Sequence, residues 1–169
     1  MSIKSIVNFS FAIGCLCLLP LSYASITIPM VMTDGNAQQK KVGTIQAENA
    51  RCGVLFTPHL TDLPPGIHGF HIHEKPSCDD KGMAAGDHFD PIQSKQHNGP
   101  YDHIGHLGDL PVLIVNQDGT ATLPILAPRL TLSKIKNHAL MIHAGADNYA
   151  DTPAKLGGGG SRMVCGVIK

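Results

Sequence analysis

No long window of this chain sustains an apolar period of 3.6 residues, and Gly and Pro are scattered along its whole length, so long helices are excluded from most of it. Short apolar runs bounded by turn residues recur instead. They fall at Ile26 to Met32, Val42 to Glu48, Cys52 to Thr57, Gly69 to Glu74, Pro111 to Val115, Thr120 to Leu126, Ala139 to His143 and Met163 to Ile168. Asp34-Gly35-Asn36 punctuates the first run. Asn116-Gln117-Asp118-Gly119 lies between the fifth and sixth and predicts a hairpin connection. About eight short strands with Gly/Pro turns predict an all-β antiparallel sandwich or barrel.

Two segments break the meander. Residues 75–110 are rich in Pro, Gly, Asp, Asn and His, and residues 144–162 carry Asp147, Asp151, Pro153 and the run Gly157 to Gly160. Long loops without structure of their own are uncommon in a compact domain and are usually functional or tied down. The glycine run provides either flexibility or close approach of backbone to a site.

Histidine supplies the candidate tie. In Gly69-Phe70-His71-Ile72-His73-Glu74, strand alternation places Phe70 and Ile72 on one face and both imidazoles on the other, about 7 Å apart. Such a pair either faces solvent or grips one metal ion from one side. His88, His97 and His106 follow at intervals of nine, and Asp109 comes three residues after His106. Three imidazoles and one carboxylate form a complete tetrahedral set suited to structural zinc. His143, alone, is an ordinary strand-end histidine. With His71, His73 and His88 it completes four imidazoles, a set suited to copper.

These motifs carry a family resemblance. Gly69-Phe-His-Ile-His-Glu74, Gly86-Asp-His-Phe-Asp-Pro91, His97-Asn-Gly-Pro100, Gly105-His-Leu-Gly-Asp-Leu110, Ile142-His-Ala-Gly145 and Gly157-Gly-Gly-Gly-Ser-Arg162 through Cys165-Gly-Val167 resemble the Cu,Zn superoxide dismutases. The likeness covers nearly all of residues 26–169 and, around Glu74 to Ala85, is nearest the bacterial periplasmic branch.

The resemblance implies an eight-stranded antiparallel Greek-key β-sandwich or barrel with two long functional loops. It implies copper on His71, His73, His88 and His143, and zinc on His88, His97, His106 and Asp109, with His88 shared. Asp147 matches a carboxylate that holds the outer nitrogens of His71 and His97. The implied reaction turns two superoxide anions and two protons into oxygen and hydrogen peroxide, with His88 carrying a proton. Arg162 stands where the family places an arginine at the copper mouth, a permanent charge suited to a small anion. Lys75 and Lys155 are candidates to add to its field. Cys78 and Cys165 match the family's disulfide.

Cys52 departs from that pattern and is expected as a small buried hydrophobe on its strand, the other option being a bond between two chains. His59, His68, His103 and His138 match no ligand position and read as surface or packing histidines.

The N-terminus reads as an export signal. Lys4 precedes a mostly apolar run from Phe11 to Leu21, and Ser22-Tyr23-Ala24 provides small residues at a cleavage point. The expected organisation is a signal peptide at residues 1–24 and one domain at residues 25–169, delivered to the periplasm. Of the five cysteines, Cys15 and Cys17 would leave with the signal. Two of the remaining three are expected to pair under oxidising conditions. The mature chain would carry a formal charge of −1. That balance argues against nucleic acid as a partner and against a stable membrane association. Monomer and homodimer are both open. A periplasmic copper/zinc buffer or a copper-chaperone-like domain is the alternative reading, since storage also needs ligands.

Overall fold

The computed structural model describes residues 24–33 and 40–169. The predicted signal segment and the Asp34-Gly35-Asn36 turn therefore lie outside the described residues, apart from Ala24.

Nine strands are present among the described residues: β1 (Ser25–Met32), β2 (Lys41–Ala50), β3 (Gly53–Leu60), β4 (Gly66–His68), β5 (Phe70–His73), β6 (Leu113–Val115), β7 (Ile125–Ala127), β8 (His138–His143) and β9 (Arg162–Ile168). Seven form a curled antiparallel sheet in the order β5-β8-β9-β1-β2-β3-β7, and β4 pairs with β6 in a small second sheet. The chain leaves β7 at one end of the large sheet and enters β8 near the other, passing through the single turn of helix α1 (Leu132–Ile135). That crossover gives the antiparallel Greek-key character the sequence predicted.

Alternation along the strands sets the core. Ile28 and Met30 of β1, Ala47 of β2, Val54 and Phe56 of β3 and Phe70 and Ile72 of β5 point inward and are fully buried. They join Leu140, Ile142, Val164 and Ile168 from the other side of the sheet in one cluster. Phe56 and Phe70 meet edge to face at 5.6 Å between ring centres. In β2 the alternation slips, because Val42 and Ile45 are both buried. The pairing with β1 shifts register between Met30 and Val31, and this irregularity absorbs the extra residue.

The run Gly69 to Glu74 forms a strand of its own, β5, as expected, while two other sequence expectations change. His68 ends β4 in the small sheet and Phe70 begins β5 in the large one, so the chain changes sheets at Gly69. The turn at residues 116–119 forms, with Asn116 N–H donating to Thr120 O. The strands beside it do not make a hairpin, because β6 pairs with β4 while β7 pairs with β3. Cys52 is not buried on a strand. It sits in the two-residue turn between Ala50 and Gly53, where its side chain is exposed and unpaired.

The loop 75–110 lies across the outer face of β5 and β8, and local pairing rather than periodicity fixes it. Ile72 N–H donates to Gly108 O, and Phe89 N–H donates to Ile72 O. Both limbs of the loop are thereby fastened to one residue of β5. Gly108 has to be glycine, since a Cβ there would lie 2.3 Å from Ile72 O. The near end is pinned by the Cys78–Cys165 disulfide and by a small apolar cluster of Ala85, Ala139 and Met141. No helix among the described residues is long and apolar enough to cross a membrane.

Candidate metal centre

On β5, Phe70 and Ile72 enter the core, which forces His71 and His73 to the opposite face, as alternation predicts. That face is not open to water, because the loop covers it and both imidazoles are fully buried. Isolated bridges pair His73 with His88 and His71 with Asp109, so the two fastened limbs deliver one donor each beside β5. His143 ends β8, and its N–H donates to Gly69 O at 2.8 Å.

The ligating atoms of His71, His73, His88 and His143 all lie within 4.8 Å of one another. Those of His71, His88, His97 and Asp109 meet the same limit, making a second group that shares His88. The His88 ring is 4.0 Å from His71, 5.0 Å from His73, 5.4 Å from His97 and 5.5 Å from His106 between centres. His106 is outside the second group, but its Nδ1 is 3.4 Å from Asp109 Oδ1.

Asp147 joins the two groups. Its Oδ2 accepts from His71 Nε2 at 2.7 Å and its Oδ1 accepts from His97 Nε2 at 2.9 Å. Tyr149 N–H also donates to Oδ1. The glycine run serves this contact: a Cβ on Gly157 would lie 1.8 Å from Asp147 Oδ1, and its φ is +71°. Close approach, not flexibility, explains that residue.

Buried polar atoms are normally paired. Here each of seven residues leaves one buried atom without a hydrogen-bond partner: His71 Nδ1, His73 Nε2, His88 Nε2, His97 Nδ1, His106 Nδ1, Asp109 Oδ2 and His143 Nε2. Two of these rings are anchored through the other nitrogen, His73 Nδ1 to Gly86 O and His71 Nε2 to Asp147 Oδ2. A ring that donates through one nitrogen presents a bare lone pair at the other, the form a metal needs. The residues present therefore fit a pair of transition-metal ions.

The electrostatics agree with ligation. Burial holds His71, His73 and His143 down at about 3, about 2 and about 4 respectively, with the neighbouring His88 reinforcing each. Burial also lowers His88. These imidazoles are neutral at neutral pH. His97 goes the other way: burial opposes its charge, but the neighbouring carboxylates of Asp109 and Asp147 raise it to about 9. Asp109 and Asp147 resist burial through their histidine hydrogen bonds and stay below the usual carboxylate range.

Arg162 is half-buried at the head of β9, directly opposite His143 in the β8–β9 pairing. Its guanidinium donates to Gly82 O and Gly86 O, both at 2.6 Å. A cleft of about 630 Å3 runs over His88 and His106, with Lys95 and Lys155 set among Glu74, Asp87, Asp90 and Asp151. Lys75 is exposed and outside that cleft.

Of the remaining histidines, His59 and His103 are exposed, and His138 packs its ring on Phe89 at 4.0 Å. His68 is buried, with Nδ1 2.9 Å from His143 O and Nε2 2.9 Å from Pro64 O. It supports the backbone of His143, a role no spacing pattern reveals. Asp151 was also silent in the sequence; its Oδ2 accepts the backbone N–H of His97 at 3.0 Å.

Comparison with known proteins agrees with this geometry. Residues 41–168 match the family model described as copper/zinc superoxide dismutase. A Cu-Zn superoxide dismutase of Haemophilus ducreyi is 51% identical over 158 residues, covering 88% of this chain and 79% of the relative. One from Salmonella typhimurium is 52% identical over 154 residues, covering 86% and 87%. Among solved structures, the Cu/Zn superoxide dismutase from Brucella abortus superposes with a TM-score of 0.82 at 43% identity, covering 86% of this chain and all of that one. The histidine centre falls within the matched span, and at half the residues identical over most of both chains the conclusion is direct: this chain belongs to the copper/zinc superoxide dismutase family.

Proposed function

We propose that this protein disproportionates superoxide, with copper held by His71, His73, His88 and His143 and zinc held by His88, His97, His106 and Asp109. The observation that carries the assignment is the convergence of donors into two groups that share His88, with a buried unpartnered atom on each of the seven residues. His106 rather than His71 is the fourth zinc donor. His71 has one free nitrogen, Nδ1, which the four-histidine set needs, whereas His106 Nδ1 has no other use.

Bound in the four-histidine set, copper supplies one-electron chemistry, oxidising one superoxide to oxygen and reducing a second to the peroxide level. The chain's residues do the rest. His88 is the shared ring: Nδ1 faces Asp109 at 2.9 Å, and Nε2 is the atom that takes up a proton and gives it to the peroxide. Burial lowers His88 and keeps the ring neutral at rest, with the Nε2 lone pair unprotonated. Asp147 keeps the His71 and His97 rings turned so that Nδ1 of each points into its set. Arg162 carries a fixed positive charge beside His73 and His143, which both feel it. A diatomic anion offers almost no shape to recognise, so that charge is the selecting element.

A metal buffer or a chaperone-like domain needs neither a shared imidazole nor an arginine at the mouth, so the positions of His88 and Arg162 support the enzyme reading. Every ligand comes from one chain, so turnover does not require a second subunit. A related enzyme from Salmonella enterica, 50% identical with a TM-score of 0.74, is described as monomeric in solution. Residues 1–24 act as a cleaved export signal, and residues 25–169 work in the periplasm. The apolar run from Phe11 to Leu21 and the paired Cys78 and Cys165 support that placement.

The deciding experiment follows superoxide decay by the purified protein before and after copper removal. Fast decay that disappears without copper and returns on its readdition is the expected result. Full copper and zinc content with no decay would overturn the proposal.

A further inference from the structure

Residues 96–106 form a closed loop whose neck carries two of the seven donors. His106 N–H donates to Gln96 O at 3.0 Å, which brings His97 and His106 side by side, ring centres 6.0 Å apart. At the tip, Asp102 Oδ1 accepts from Ile104 N–H and Gly105 N–H and sets the turn. The larger apolar side chains of the loop lie outside the core: Tyr101 and Ile104 are 68% and 61% exposed. Neither hydrophobic burial nor strand pairing holds its two limbs together.

Arg129 does. It lies two residues past the end of β7, and its guanidinium reaches into the loop. Nε donates to Pro100 O at 3.0 Å and Nη1 to Gly105 O at 3.2 Å. Nη2 donates to Gly99 O at 3.3 Å and to His106 O. Four carbonyls, two from each limb, converge on one planar fork, and the last belongs to a candidate zinc donor. Arg129 makes no ion pair among the described residues. Its donors are committed to backbone, so it is neither a substrate contact nor a surface charge. A guanidinium is suited to this because its donors diverge in fixed directions, which an ammonium cannot reproduce.

We propose that Arg129 is a positioning residue for the zinc set, fixing the separation and aim of His97 and His106 and so setting the affinity of that site for zinc. The inference rests on the reading of His88, His97, His106 and Asp109 as the zinc donors.

The test measures zinc dissociation constants by chelator competition, and cobalt(II) visible spectra at the same site, for the full mature chain and for Arg129→Ala and Arg129→Lys. Loss of a residue that orients metal ligands typically weakens binding on the order of tenfold to a hundredfold. The expected result is weakening of zinc by at least roughly tenfold in Arg129→Ala, with a changed cobalt spectrum. Arg129→Lys, which keeps charge but not the fork, is expected to fall between wild type and Ala; it also carries the test if the Ala variant does not fold. Unchanged zinc affinity and cobalt spectrum in a folded variant overturn the proposal, even if its melting temperature falls. A wild-type chain that takes up no zinc overturns the ligand reading, and the role of Arg129 with it.

Discussion

His73 and Arg162 share a single acceptor: Gly86 O takes a hydrogen bond from His73 Nδ1 at 2.9 Å and another from Arg162 Nη2 at 2.6 Å. The ring whose Nε2 is proposed for copper and the charge proposed to draw the anion are thus set by one carbonyl on the loop. Arg162→Ala is expected to slow superoxide decay roughly tenfold or more, since steering by charge is worth about that much. It should also flatten the dependence of the rate on ionic strength. Stopped-flow decay at several salt concentrations checks both. A rate and a salt slope equal to wild type would remove Arg162 from the mechanism.

Asp147 is the one side chain that touches both ligand groups, through His71 and His97. Asp147→Ala frees both rings to turn and removes one of the two carboxylates, Asp109 being the other, that raise His97 in the metal-free chain. Zinc affinity is expected to fall on the order of tenfold to a hundredfold, with a smaller loss at copper, where only His71 is affected. Chelator competition for each metal measures the two losses separately. Equal affinities for wild type and variant would show that packing alone aims the rings.

The candidate metal donors were legible in the sequence because their residue types and spacing are unusual: His71 and His73 alternate on a strand, and His88, His97 and His106 recur every nine residues. Most strands were legible too, and alternation at β1 and β3 matches burial. What failed depended on contacts between distant segments. The hairpin expected around residues 116–119 has good local turn chemistry, but β7 finds its partner in β3, some 70 residues earlier in the chain. Cys52 looked like a strand residue until the pairing of Ala50 with Gly53 put it in the turn. His68 and Arg129 act through backbone carbonyls, which leave no mark on sequence spacing.

The Cys78–Cys165 bridge closes 87 residues and ties the loop that provides Gly82 O and Gly86 O to the strand that carries Arg162. Chain entropy values such a closure at roughly 4–5 kcal/mol as an upper figure. Cys78→Ser is the milder removal, because Cys165 is fully buried and Cys78 is not. The variant is expected to lose stability in urea by up to about that amount. It should also show a slower superoxide rate as Arg162 loses its fixed acceptors. A stability loss with an unchanged rate would separate the bridge from the placement of Arg162.

Acid should unfold the metal-free protein earlier than its overall charge suggests. His71, His73 and His143 titrate ordinarily at 6.5 but are held by burial at about 3, about 2 and about 4. In the unfolded chain they take up protons as the pH falls below 6.5, while in the folded chain they do not. The unfolded state then binds more protons, so stability declines as the pH drops from 6.5 toward 4 and below. Asp109 and Asp147, whose folded values are depressed, add to the loss at the acid end of that range. His97 opposes the trend. Raised to about 9, it adds stability that is full below 6.5 and lost as the pH rises through 9. Three imidazoles against one give a net decline on the acid side. Bound metals deepen it, because protons and metals compete for the same lone pairs. Urea midpoints of the metal-free chain between pH 7.5 and pH 4 provide the check, with a falling midpoint expected. A midpoint that stays level or rises over that interval would mean that these three imidazoles are already protonated in the folded protein, and that their burial is not what keeps them ready for metal.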